Sequence, residues 1–134
     1  MRKGVVALLA LALGVMASAG PAIAHHSFAA EFDSNKQVTL KGHVTKVEWT
    51  NPHVWFYLNV KNASGTVENW GFEMGPPHGL QSRGWTRTTM KLGDEIEVNG
   101  SLAKNGSKRV NARAVVMVST GQRLGAASSE GVTP

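Results

Sequence analysis

From Val38 onward, apolar and polar residues alternate one for one through Val38-Thr39-Leu40-Lys41-Gly42-His43-Val44-Thr45-Lys46. A two-residue period sends successive side chains to opposite faces, which predicts a half-buried strand. The pattern continues through Val47-Glu48-Trp49 to Thr50-Asn51-Pro52, where the proline ends the ladder. Its apolar face shifts between Val44 and Val47, predicting a bulge or strong coil. A second strand, His53 to Lys61, sets Val54, Phe56, Leu58 and Val60 on one face and His53, Trp55, Tyr57 and Asn59 on the other. Asn62-Ala63-Ser64-Gly65 reads as a hairpin turn. A third strand runs from Thr66 to Met74, with Trp70, Phe72 and Met74 sharing a face, and Gly75-Pro76-Pro77 breaks it. One short helix fits between Pro77 and Thr89, with Pro77 in its first turn and Gly84 weakening anything longer. Gly93-Asp94 leads into a fourth strand, Glu95 to Ala103, with Ile96, Val98 and Leu102 inward. Lys104-Asn105-Gly106-Ser107 carries the favoured Asn-Gly turn pair, and a fifth strand covers Arg109 to Val118. From Gly125 to Pro134 the chain is small and polar, and a flexible tail is expected.

Five strands with one short helix between the third and fourth is the order of an oligonucleotide/oligosaccharide-binding (OB-like) barrel, so the expected fold is all-β. Val38-x-Leu40-x-Gly42-x-Val44-x-Lys46 and Ile96-x-Val98-x-Gly100-x-Leu102-x-Lys104 share one template. The first and fourth strands pair in such a barrel, and a mid-strand glycine in each would relieve crowding where the sheet bends to close. The alternative is an open sheet whose glycines mark bulges.

The first 24 residues read as an export signal. Arg2 and Lys3 precede an apolar run from Val5 to Met16, too short to span a bilayer, and Pro21 stands before an Ala22-Ile23-Ala24 cleavage site. A second such site, Ala17-Ser18-Ala19, would leave Gly20-Pro21 at the front. With no cysteine in the chain, a lipid anchor, disulfides and thiolate metal sites are all excluded. Cleavage after Ala24 leaves roughly 110 residues, enough for one domain. The expected organisation is a signal peptide over 1–24, an N-terminal arm over 25–37, the barrel over 38–124 and the tail over 125–134. The expected location is periplasmic or secreted. Loss of Arg2 and Lys3 lowers the +5 net charge to about +3, well short of a dense nucleic-acid-binding stripe.

On an OB-like barrel the ligand face comes from strands two and three and the loops after strands one and four. Here it would present His53, Trp55, Tyr57 and Asn59, with Asn69, Gly71 and Glu73 beside them. Asn51 lies in one loop, and Lys104, Lys108 and Arg109 lie around the other. Aromatics next to basic loops could stack a planar ligand or sugar and hold an anionic group. Alternatively, Phe28 and Phe32 of the arm simply cover Trp55 and Tyr57.

Histidines supply a second chemistry. A mature N-terminal His25 carries a free α-amino group beside its imidazole, and the two nitrogens can chelate one copper ion, as in the histidine brace of copper-dependent polysaccharide monooxygenases. His53 or His26 would add a third nitrogen, a donor set suited to Cu(II). The alternative is an accidental His-His pair at a chain end. His43 is expected to point outward, and His78 is a candidate by position alone. There is no H-E-x-x-H, no His-x-His and no G-x-S-x-G, so zinc hydrolysis and serine nucleophile chemistry lack support, and a binding role is expected rather than catalysis.

The run from His25-His26-Ser27-Phe28 to Asp33, with Glu48-Trp49-Thr50-Asn51-Pro52-His53, Gly84-Trp85-Thr86-Arg87, Gly93-Asp94 and Asn111-Ala112-Arg113, resembles a family of small exported bacterial proteins of unknown function. The likeness covers nearly all of the mature chain. It implies a periplasmic or secreted single domain and no particular activity. It also implies that His25, His26 and His53 belong to the shared pattern, whereas His78 stands where other members tend to have Asn.

Three readings stand at this point. The first is an exported binding module holding copper through His25, His26 and His53, with Asn51 and Pro52 shaping the corner. The second is a metal-free module taking a small anionic or glycan ligand on Trp55, Tyr57, Glu73, Lys104, Lys108 and Arg109. The third is a subunit of an exported complex, with Trp85 and Arg87 as protein-partner contacts.

Overall fold

The computed structural model describes residues 28–130. The expected signal segment over 1–24, His25 and His26 lie outside the described residues. After a helical turn over residues 28–31, the elements are β1 (Phe32–Glu48), β2 (Trp55–Lys61), β3 (Val67–Glu73), helix α1 (Pro77–Gln81), β4 (Glu95–Ala103), β5 (Arg109–Met117) and β6 (Arg123–Gly125). The sheet order is β3-β2-β1-β4-β5-β6, and β3 also pairs with β5, so the first five strands close on themselves. This is an OB-like barrel with its short helix between β3 and β4, as the strand order predicts. No helix among the described residues is long and apolar enough to cross a membrane.

Both template glycines sit at points of closure. A side chain at Gly42 would place its first carbon 2.2 Å from the Asn59 carbonyl oxygen, and one at Gly100 would come equally close to that of Asn111. No carbon tolerates that approach, so only hydrogen allows β1 to pass β2, and β4 to pass β5, at these bends. The expected irregularity in β1 is a register shift between Val44 and Lys46 in its pairing with β2.

The core fills the barrel with one face of each strand. Val54, Phe56, Leu58, Phe72, Ile96, Val98, Val110 and Val115 are buried. Phe56 and Phe72, opposite each other in β2 and β3, stack with centroids 4.9 Å apart and planes 4° apart. Leu80 of α1 and Met90 close the same cluster.

Three expectations require correction. The arm is not separate from the barrel: β1 begins at Phe32, which pairs with Ala103 across β4 and is itself buried. The tail, expected to be flexible from Gly125, instead forms β6 and then packs over β5 as far as Glu130. Ala126 is fully buried, Ser128 Oγ donates to Asn111 Oδ1 at 2.6 Å, and Ser101 Oγ donates to Glu130 Oε2 at 2.6 Å. Asn111 and Ser101 are buried, so the polar tail supplies hydrogen bonds that water no longer can. The third correction concerns Trp85, which is 2% exposed and donates its Nε1–H to the Gly125 carbonyl at 2.9 Å. It anchors the tail and offers nothing to a partner; Arg87 remains exposed.

Candidate functional site

Period-two geometry carries the outward residues of β2 and β3 into one ladder. Trp55 faces Glu73, Tyr57 faces Gly71, and Asn59 faces Asn69. On the far side of β3, β5 runs parallel to it, setting Arg109 beside Gly71 and Asn111 beside Glu73. Gly71 has no side chain to block the way, and the Arg109 guanidinium reaches over it to lie 4.9 Å from the Trp55 ring centroid. This is a cation–π contact that holds the guanidinium over the ring. Phe28 and Phe32 instead face each other, with centroids 5.8 Å apart, and among the described residues neither stacks on Trp55 or Tyr57.

At the mouth of β2, His53 Nδ1 stands 2.5 Å from Glu73 Oε1. Glu73 is only 8% exposed. Burial pushes its carboxyl above the usual range, the neighbouring His53 opposes that rise, Glu31 adds to it and Arg109 opposes it. Glu31 and Arg109 thus both act on Glu73, although Glu31 comes from the helical turn before β1, Arg109 from β5 and Glu73 from β3. His53 keeps roughly a third of its side chain exposed, and its Nε2 has no partner among the described residues.

The other candidates separate into engaged and free groups. Tyr57 Oη donates to Glu48 Oε2 at 3.3 Å, and Lys46, paired with Glu48, lies 5.5 Å from the Tyr57 centroid. Lys108 pairs with Glu68 at 3.3 Å. Lys104 gives one Nζ hydrogen to the Ala29 carbonyl, and its backbone N–H donates to Glu31 at 2.8 Å, which holds the helical turn against the β4–β5 hairpin. Asn51 is exposed, in a cis peptide with Pro52, and makes no side-chain hydrogen bond among the described residues. The corner-shaping expected of Asn51 is therefore not carried by a side-chain hydrogen bond there. His43 points outward on β1, as expected, and His78 lies exposed on α1.

Sequence reasoning missed Glu31 and Ser107. Both line a cleft of about 390 Å³ with Lys104, Asn105 and Arg109. The Ser107 hydroxyl oxygen is buried without a hydrogen-bond partner among the described residues. Glu31 carried no signal because its position depends on where the arm docks, and an orphaned hydroxyl is invisible until packing exists. Among the described residues, no three His, Asp or Glu side chains converge to hold a metal.

No curated protein matches the chain. Among solved structures it is similar to the N-terminal domain of PriB protein from Thermoanaerobacter tencongensis, at 18% identity over 61% of this chain and 94% of that one, with a TM-score of 0.41. Residues 12–112 match a described family, and on that match the chain belongs to the family of unknown function DUF6152.

Proposed function

We propose that this protein is an exported, periplasmic binding domain that holds a copper ion between His53 and the histidines His25 and His26. The observation that carries the reading is the contact between His53 Nδ1 and the buried Glu73 carboxylate. A metal-bound imidazole characteristically gives its other ring nitrogen to a carboxylate, which sets the tautomer and turns the remaining nitrogen toward the ion. Nε2 is the nitrogen left over here.

The path of the chain supports the choice of partners. The helical turn over residues 28–31 is tied to Lys104, and Glu31 lies within the electrostatic reach of Glu73. Extended backbone spans at most ~3.6 Å per residue, and three residues, a reach of about 11 Å, separate position 25 from Phe28 in the sequence. Amine, imidazole and His53 Nε2 together form the nitrogen-only set that Cu(II) favours. Such a site needs neutral nitrogens, so metal affinity falls as acid protonates them.

The experiment compares Cu(II) titrations of protein beginning at His25 with protein that retains Ala24. An extra residue converts the terminal amine to an amide and removes the chelate. A large loss of affinity on retaining Ala24 is expected; equal affinity ends the proposal.

A further inference from the structure

The cleft beside the β4–β5 hairpin combines features that no structural role accounts for. Arg109 lies over the Trp55 ring, yet its side chain makes no hydrogen bond or ion pair among the described residues. A guanidinium held in place with unused donors is prepared for a two-pronged contact with a carboxylate. Lys104 contributes a second cation with only one of its three donors spent on the Ala29 carbonyl. Ser107 Oγ is buried, and its hydroxyl finds neither a donor nor an acceptor among the described residues. Glu31 lines the same cleft and can only accept.

We infer that this cleft is a binding site for a hydroxylated monocarboxylate, a sugar acid in chemical class. Among the residues lining the cleft, Lys104 and Arg109 outnumber Glu31 by one charge, and Glu73 also acts on Arg109 from just outside it, a balance that suits a monoanion better than a phosphate dianion. The ligand carboxylate takes the edge of Arg109 and Lys104. Its hydroxyl groups donate to Glu31 and complete Ser107. A cleft of about 390 Å³ falls within the usual range for small-molecule sites and exceeds what a bare carboxylate needs. The site is separate from the copper reading, and it uses neither His53 nor the chain before Phe28.

The test titrates the metal-free protein, in the presence of a chelator, with D-glucuronate, D-glucose and inorganic phosphate, following backbone amides and the Trp55 indole by NMR. Glucuronate is expected to move the amides of residues 104–109 and the Trp55 indole saturably, while glucose and phosphate do not. Arg109→Lys, which keeps the charge and loses the fork, should weaken glucuronate roughly tenfold, and Ser107→Ala should weaken it several-fold. Spectra of both variants without ligand report whether the fold is intact. Absence of saturable glucuronate shifts overturns the inference, as does phosphate binding equally well or an Arg109→Lys protein that binds like the parent. Because no copper is present, a negative result here leaves the copper titration to stand or fall separately.

Discussion

His53 Nδ1 lies 2.5 Å from Glu73 Oε1, joining the residue that follows the Asn51-Pro52 corner to a carboxylate at the end of the neighbouring strand. The contact links stability to function, because one group is half-buried and the other almost wholly so. His53→Ala strands the Glu73 carboxyl and should cost about 1–3 kcal/mol of stability, read by urea denaturation. Glu73→Gln keeps the shape and loses the charge. It should lower Cu(II) affinity by about 10–100-fold while the folded spectrum is kept. Unchanged copper affinity in Glu73→Gln would remove the carboxylate from any metal role.

The two closure glycines should be intolerant of any side chain. Gly100→Ala and Gly42→Ala each force a carbon against a carbonyl oxygen of the adjoining strand, and a loss of about 1–3 kcal/mol or more is expected for each. Gly71→Ala meets the Tyr57 ring at 3.2 Å, where a side chain can shift, so its cost should be smaller. Denaturant midpoints of the three variants should rank in that order. A Gly100→Ala protein as stable as the parent would contradict the closure described here.

Glu130 ties the tail to the barrel. Its carboxylate accepts from Ser101 Oγ at 2.6 Å and from Gln37 Nε2 at 3.2 Å. Glu130→Ala leaves the buried Ser101 hydroxyl with the Gln37 contact alone, and a loss of about 1–3 kcal/mol is expected. Hydrogen exchange should also quicken at Gly125 and Ala126, whose backbone contacts hold the tail down. Exchange rates equal to the parent would show that the tail docks without its last anchor.

Glu68, paired with Lys108 at 3.3 Å, offers a pH-dependent readout. The Asn62 side chain, then Lys108 and Trp70, hold its carboxyl below the ordinary glutamate value of 4.5. A depressed folded-state pKa contributes stability above the unfolded value, and that contribution is lost as pH falls through the folded one. The Glu68 side-chain carbon should therefore titrate with a midpoint under 4.5, and Asn62→Ala should raise it. A midpoint indifferent to Asn62→Ala would refute the hydrogen bond as the leading cause.

Much of the architecture was legible in the residues. Strict alternation in Val38–Lys46 and His53–Lys61 is enough to say which side chains face inward, because a strand has only two faces. The barrel order implied the pairing of β1 with β4, and the shared glycine template marked the bends where β1 meets β2 and β4 meets β5 with no room for a carbon. Alternation in the second and third strands puts His53, Trp55, Tyr57 and Glu73 on one outer face from the sequence alone.

Alternation assigns a face and says nothing about which distant strand becomes the neighbour. The parallel pairing of β3 with β5 brings Arg109 across Gly71 onto Trp55, and no local pattern encodes that meeting. The tail shows the same limit from the other side. Its small polar residues have little reason to order alone, yet Ser128 and Glu130 become fixed because the closed barrel buries Asn111 and Ser101 and removes their water. Local chemistry thus determined the strands, their faces and the points of closure. Tertiary packing decided which polar groups lost solvent, and hence which ones needed a partner.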